Sequence, residues 1–409
     1  MMKRHNLLLL LALVAGAGSA STPAKPDSAL KLERAVLLMR HGVRPPTKSP
    51  PMPTGIAADP WPSWSVKPGY LTENGARAIE ALARSDRADW VQAGLLPASG
   101  CGAKGLVRLI ADTDQRTIAT ADHYGAGLLP GCPVANEHRP EGAEDPIFSP
   151  IDLGVTPVDA AAADRAVRTA IGGGGLAAVE TRMRPLLTQL DTILCGKPPP
   201  TCGLSRLPSG FSTSANARPK LSGALDRGST AAHILLLEYA DGKPASEIGW
   251  GRATAADIER LGALHATEFA LLARPRYLAA RNLSGIAPLM LGALFDPRAD
   301  APRVTMLSGH DTNVANLGGL LDLHWRLPGF ATDDPTPGGA IVLELLRDAS
   351  GAHYVRARYR SQTLDQIRRG GAGAAVSVTL PLPGCSARGV VGLCTRAAFE
   401  ALMKARLAS

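Results

Sequence analysis

Beyond its first twenty residues, this 409-residue chain has no apolar run approaching the roughly 18–20 residues that a membrane span requires. It also has no block of Lys or Arg longer than the pair Arg368-Arg369. The formal charge of +8 therefore does not point to nucleic acid, although a positive field weakly favours an anionic substrate. No C-x-x-C or paired-His spacing marks a zinc site. The G-x-S-x-G of serine hydrolases is missing. The tetraglycine at 172–175 lacks the Gly-Lys-Ser/Thr of a phosphate loop and reads as a flexible connection. With 43 glycines and 33 prolines the chain is loop-rich, yet below the roughly 25–30% share of low-complexity sequences. Hydrophobic content of 45% and charged content of 20% are those of a soluble globular protein. The length suits one large domain or two ordinary ones.

What the chain does have begins with a targeting segment at residues 1–20. Lys3 and Arg4 supply a positive start, residues 7–15 an apolar core, and Gly18-Ser19-Ala20 a small-residue cleavage site. The expectation is cleavage after Ala20 and export. Six cysteines, at 101, 132, 195, 202, 385 and 394, form an even set that suggests disulfides in an exported chain. The sequence alone leaves their pairing open.

Three short apolar runs end abruptly in charge. Residues 35–39 (AVLLM) break into Arg40-His41-Gly42-Val43-Arg44, with Pro45 and Pro46 closing a loop. Residues 106–111 break into Asp112-Thr113-Asp114-Gln115-Arg116-Thr117, and residues 304–307 into Ser308-Gly309-His310-Asp311-Thr312-Asn313. Each reads as a buried strand delivering polar side chains from its carboxyl end, where open α/β sheets place their ligands. Guanidiniums flanking an imidazole suit an oxyanion such as phosphate. A neutral His41 between them can act as a nucleophile. A helix starting near Thr312 would offer free N–H groups to an anion. Taken alone, DTDQRT reads as a solvated loop and His310-Asp311 is a weak signal.

Elsewhere the signals are structural. Residues 45–70 form an irregular loop whose Trp61 and Trp64 either exclude water from a site or cover the core. Thr72 is the expected N-cap of a helix presenting Ala76, Ile79 and Leu82 on one face. Helices are expected at 160–170, 177–194 (with Pro185 a possible kink), 230–239 and 255–273, with no strand pattern interrupting until Val304. Residues 340–347 and 353–360 read as a hairpin at the sheet edge, with Arg356, Arg358 and Arg360 on a solvated face.

RHGVRPP resembles the RHGxRxP signature of the histidine acid phosphatases. These form the branch of the histidine phosphatase superfamily that includes bacterial periplasmic phytases and glucose-1-phosphatases. GHDTN at 309–313 resembles the second signature, and the LTxxG, D-x-x-x-R-T, GWGR and PGG segments also match. The resemblance implies a Rossmann-like mixed-sheet α/β domain (30–149 and 297–409) with a smaller helical domain inserted at 150–296. It implies local disulfides 101–132, 195–202 and 385–394. It makes His41 the nucleophile and Asp311 the general acid. Arg40, Arg44, Arg116, His310 and Thr312 become phosphate ligands, with Asp112 orienting them. Thr47 and Lys48 match a phytase-like RHGVRxPTK and are expected to contact substrate phosphates. A departure stands at His233, where phytase-like relatives place a glutamate, and Thr230 falls where a methionine can occur. His233 either contacts substrate or fills the pocket wall.

The resulting expectation is an exported, monomeric acid phosphatase, periplasmic or secreted, working through a phosphohistidine. Its partner is a small phosphomonoester, with no cofactor, no metal, no nucleic acid and no membrane span. Phytate stands ahead of glucose 1-phosphate or a broad sugar-phosphate range. A non-catalytic anion-binding protein and a mutase-like isomerase on the same chemistry are the rivals from other classes.

Overall fold

Alternate residues of the first apolar run serve two different cores. The computed structural model describes residues 30–196 and 202–408, so the targeting segment at 1–20 lies outside the described residues. Within β1 (Lys31–Arg40), Val36 and Leu38 join one hydrophobic cluster, while Ala35, Leu37 and Met39 join another. A strand covered on both faces reads as a continuous apolar run because both of its period-2 faces are buried.

The chain continues through α1 (Glu73–Gln92), β2 (Val107–Ala111), α2 (Gln115–Leu128) and the short β3 (Asn136–Glu137). Helices α3 (Ala160–Ile171) and α4 (Gly175–Cys195) precede a small hairpin, β4 (Gly210–Ser212) and β5 (Lys220–Ser222). Then come α5 (Gly223–Ala240), α6 (Ala255–Leu272), α7 (Arg276–Asn282) and α8 (Ile286–Leu294). β6 (Val304–Gly309) and α9 (Asp311–Leu321) follow. The last elements are β7 (Ala340–Arg347), β8 (His353–Ser361), α10 (Leu364–Arg368), β9 (Val376–Leu380), β10 (Cys394–Thr395) and α11 (Arg396–Leu407).

The main sheet has the order β10-β8-β7-β1-β6-β2-β3, with β9 also pairing β8. β1, β6, β2 and β3 are parallel, and the β7–β10 side is antiparallel. α1 and α2 cover one face through Ile79, Leu82, Ala121 and Tyr124. The other face meets α8 and α9 through Leu294 and Leu317, in a cluster that holds Leu307 and Ile341 of the sheet and continues outward to Leu235 of α5 and Leu261 of α6. Each such aliphatic side chain removed from water contributes about 1.5–3 kcal/mol. The fold is the mixed-sheet α/β type expected. Thr72 caps α1, its Oγ1 accepting from the Gly75 amide at 3.0 Å. All three local disulfides are closed. No helix among the described residues is long and apolar enough to cross a membrane.

Some local readings change. The helical stretch is interrupted by β4 and β5, and α5 begins at Gly223, well before Thr230. The β7–β8 hairpin is not a bare edge, since β9 and β10 pair along the outer side of β8. Its arginines are engaged rather than solvated. Arg356 and Arg358 hold the buried Glu344, and Arg360 is buried against Asp86 at 2.9 Å. Their partners lie on other segments, so the alternation in β8 could not reveal them.

The GWGR segment makes a tight turn beside α5. Gly249 and Trp250 both adopt left-handed conformations, and a Cβ on Gly249 would lie 2.7 Å from Ile193 Cγ2. The Gly249 amide donates to Glu238 at 3.1 Å. Burial pushes the Glu238 carboxyl up to about 7, against the opposing pull of that hydrogen bond. Between its unfolded value near 4.5 and 7, the folded chain holds the proton more tightly than the unfolded chain does. Glu238 therefore costs stability progressively as pH rises through that window, on the order of 2–3 kcal/mol. Glu238→Gln should remove this slope. Urea midpoints at pH 5 and pH 8 are expected to draw closer together in the variant than in wild type, and parallel profiles would refute the assignment.

Candidate active site

Three parallel strands end at one level. Arg40 pairs with Gly309 across β1–β6, and Ala111 pairs with Ser308 across β2–β6. His41 is pinned on both sides of its backbone: its amide donates to the Gly309 carbonyl at 2.9 Å, and its carbonyl accepts from Gly338 at 3.1 Å. Gly42 must be glycine for packing reasons, since a Cβ there would meet Leu71 Cδ1 at 2.8 Å and Ile79 Cγ1 at 3.0 Å. The Gly42 amide donates to Thr120 Oγ1, and its carbonyl lies 2.8 Å from His41 Nδ1. That contact places the imidazole proton on Nδ1 and leaves the Nε2 lone pair available.

β6 delivers the second motif. His310 is the N-cap residue of α9, its amide donating to Asn313 Oδ1 at 2.9 Å. Its Nε2 lies 2.7 Å from Asp112 Oδ2 and 3.5 Å from Asp114 Oδ2. The His310 and His41 rings meet edge to face, with centroids 5.6 Å apart. Asp311 pairs with Arg40 Nη2 at 3.2 Å. The Thr312 amide, expected to be open to an anion, is taken by Asp311 Oδ1 at 2.8 Å.

A cavity of about 420 Å³ is walled by His41, Arg44, Arg116, His310, Asp311 and Thr312, with Asp112 and Asp114 at one side. Arg44 also borders a second cavity, of about 630 Å³, which carries Thr47, Lys48, Thr230 and His233. Trp61 and Trp64 line a third, of about 570 Å³, that shares Pro46 and Lys48 with the second. Both tryptophans also pack against the core, so the two roles considered for them coincide. Arg40 is 1% exposed and lies beneath these walls, bonded to the Pro335 carbonyl at 2.5 Å and to His233 Nε2 at 2.5 Å. The Nε–H groups of Arg40, Arg44 and Arg116 are buried without hydrogen-bond partners, and Arg44 and Arg116 are cavity-lining residues.

The surrounding cations push both reactive groups the same way, toward loss of the proton. Burial, reinforced by Arg116, Arg44 and Arg40, holds the His41 imidazole well below its ordinary value and therefore neutral. Burial works against ionisation of Asp311, but the Arg40 guanidinium paired with it outweighs that and holds the carboxyl well below the usual range. Burial, with Arg116 beside it, lowers Arg44 to about 9. His233 is likewise kept neutral, by burial first and then by His265 and Arg40.

Sequence reading missed several neighbours of this site. Asp114 pairs with Arg116 at 2.6 Å. His265 stacks on His233 with centroids 4.3 Å apart and holds Asp334 through Nδ1 at 2.8 Å. Asp114 sits inside the quoted loop beside its partner Arg116, but its second partner, His310, comes from the far end of the chain. His265 stands on a helix face whose neighbours come from α5 and the segment before β7. Two triads, His233/His265/Asp311 and Asp112/Asp114/His310, could each offer three donor atoms to a metal. In both, donors are already engaged, and Arg40 or Arg116 stands beside them, which disfavours a cation.

Comparison with known proteins agrees with this arrangement. The chain is 34% identical to Phytase AppA of Escherichia coli (strain K12) over 97% of both chains. It is 29% identical to the glucose-1-phosphatase of Providencia rettgeri, covering 90% of this chain and 89% of that one. Among solved structures, the Hafnia alvei phytase in complex with tartrate superposes with a TM-score of 0.85 at 31% identity, covering 93% of this chain and 98% of that one. The Citrobacter braakii phytase gives 0.84 at 30% identity, covering 92% and 97%. The family model for the histidine phosphatase superfamily, branch 2, matches residues 31–169 and 264–360, and the chain belongs to that family.

Proposed function

We propose that the protein is an exported phosphomonoesterase that works through a phosphohistidine, with phytate as its first substrate. One observation carries this reading. The free Nε2 of a neutral His41 faces a cavity walled by Arg44, Arg116, His310 and Asp311.

His41 Nε2 attacks phosphorus in line as the ester P–O bond breaks, and Asp311 gives its proton to the departing alkoxide. Water then attacks the phosphohistidine, with Asp311 taking the proton back, and phosphate leaves. Arg44, Arg116 and His310 bind the equatorial oxygens. In phosphoryl transfer a single well-placed arginine is worth roughly 10³–10⁵ in rate. Arg40 serves from below by holding Asp311 and directing its remaining donor toward phosphate. Asp112 orients His310. Thr312 borders the phosphate site, and Thr47 and Lys48 meet the rest of the substrate. The sheet with 30–149 and 297–409 supplies the chemistry, and the helical 150–296 supplies one wall of the second cavity, opposite residues 44–53. Every group comes from one chain, so the proposed site is complete without a residue from a second copy. Three disulfides support an oxidising compartment, and the sparse basic clustering gives nucleic acid no footing. Glucose 1-phosphate is the second reading, favoured by His233 standing where a phytase-like glutamate is expected.

His41→Ala should abolish the acid-quenched phosphoenzyme and nearly all turnover. More than a few per cent of wild-type turnover in that variant would refute the nucleophile assignment. Asp311→Asn should slow alkyl phosphates by about 10²–10⁴ and p-nitrophenyl phosphate far less, because nitrophenolate needs little protonation. Equal losses on both would refute the general-acid role.

The pH dependence follows from the two shifts. A lowered His41 stays deprotonated in mild acid, so the nucleophile survives there. Asp311 is ionised in the free protein and gains its proton only with a phosphate anion beside it, so proton supply fails as pH rises. Activity should peak in acid, decline steadily to pH 8 and persist in chelator. Full activity at pH 8, or its loss in chelator, would refute this. Phosphate release from phytate and from glucose 1-phosphate, side by side at about pH 4.5, separates the two substrate readings.

A further inference from the structure

Glu268 on α6 takes no part in the reaction just described, yet it stands in the wall of the 630 Å³ cavity with Asp226, Ser229 and His233. In-line attack by His41 sends the leaving oxygen away from the imidazole and toward its proton donor, Asp311. Asp311 pairs with Arg40, and Arg40 bonds His233, where the second cavity begins. The alcohol half of the ester therefore extends past His233 into that cavity.

The wall it meets there is not uniformly basic. Asp226 pairs with its neighbour Arg227 at 3.5 Å, so those charges offset each other. The Ser229 hydroxyl donates to Glu268 Oε2, which fixes the carboxyl's orientation and leaves Oε1 as an acceptor. Burial pushes the Glu268 carboxyl up; Asp226 and Asp311 add to that, while Ser229 and His265 act against it. A carboxyl oriented in this way is a good acceptor for an O–H and, once ionised, a poor neighbour for a second phosphate.

We infer that Glu268 is a specificity residue that accepts a hydrogen bond from a free hydroxyl of the substrate's alcohol. Glu268 thereby raises the rate on monoesters of polyols with a free hydroxyl near the ester relative to those bearing another phosphate at that place, while Arg44 and Lys48 in the same wall serve the phosphates. This rests on the phosphatase reading above. It refines that reading by predicting that hydroxyl-bearing esters gain from one side chain and a fully phosphorylated ring does not.

The test compares wild type and Glu268→Gln on glucose 1-phosphate, phytate and p-nitrophenyl phosphate, which has neither hydroxyl nor second phosphate. In the variant, kcat/KM for glucose 1-phosphate relative to p-nitrophenyl phosphate should fall about threefold to tenfold, the effect of weakening one hydrogen bond. The ratio of phytate to glucose 1-phosphate should rise. Both ratios staying within about twofold of wild type would overturn the inference. Should Glu268→Gln fail to fold, wild type is assayed on the deoxy analogues of glucose 1-phosphate. At least one missing hydroxyl should then cost about tenfold, and no loss at any position overturns the inference. Hydrolysis of p-nitrophenyl phosphate with unmoved ratios sinks the role of Glu268 alone. A wild type inert on all three substrates sinks the phosphatase reading and this inference with it.

Discussion

Arg40 pairs with Gly309 across β1 and β6, and this register brings together two motifs that lie more than half the chain apart. Because the strands are parallel, both motifs leave the sheet at the same end, and β2 brings Asp112 and Arg116 to the same level. The hydrogen bond from the His41 amide to Gly309 continues the ladder one residue past β1, so the imidazole is held by the sheet rather than by a loop. A second support reaches His41 from the antiparallel side. Asp86 holds Arg360, Arg360 donates to the Gly338 carbonyl at 3.0 Å, and the Gly338 amide donates to His41. The pairing of a buried carboxylate with a buried guanidinium thus steadies the turn behind the imidazole. Removing either partner alone would leave the other uncompensated away from water.

How much of this could be read beforehand follows from where each signal resides. β1, β2 and β6 were legible because a strand buried on both faces must be apolar throughout, and here each breaks sharply into charge. α1 was legible because its cap, Thr72, lies directly before an amphipathic stretch. β3 and β10 are two residues long and exist only through their partners, so they carry no pattern of their own. β4 and β5 are equally short and interrupt an alanine-rich stretch that reads as helix. The arginines of β8 looked solvated because alternation reports which face a side chain takes and not what meets it there. The site divides along the same line. His41 and Arg44 stood out at a strand end, and Arg116, His310 and Asp311 through the resemblance of their motifs, whereas His265, Asp334 and Glu268 matter only through contacts made across the fold.

The charge arrangement sets two requirements against each other. Cations that keep His41 neutral also strip the proton from Asp311, so on the proposed mechanism the unliganded site has its nucleophile ready and its acid discharged. A bound phosphate resolves the conflict, because its negative charge offsets Arg44 and Arg116 locally and raises the proton affinity of the carboxyl beside it. Substrate binding then loads the general acid. His233 fits this logic better than a carboxylate would. A neutral imidazole bonded to Arg40 leaves that guanidinium's charge available to Asp311 and to phosphate, whereas a glutamate there would compete for it. In the cavity proposed for the leaving group the carboxyl stands instead on α6, at Glu268, held by Ser229. On that side of His233 a carboxyl can meet the alcohol without drawing Arg40 away from the reacting group.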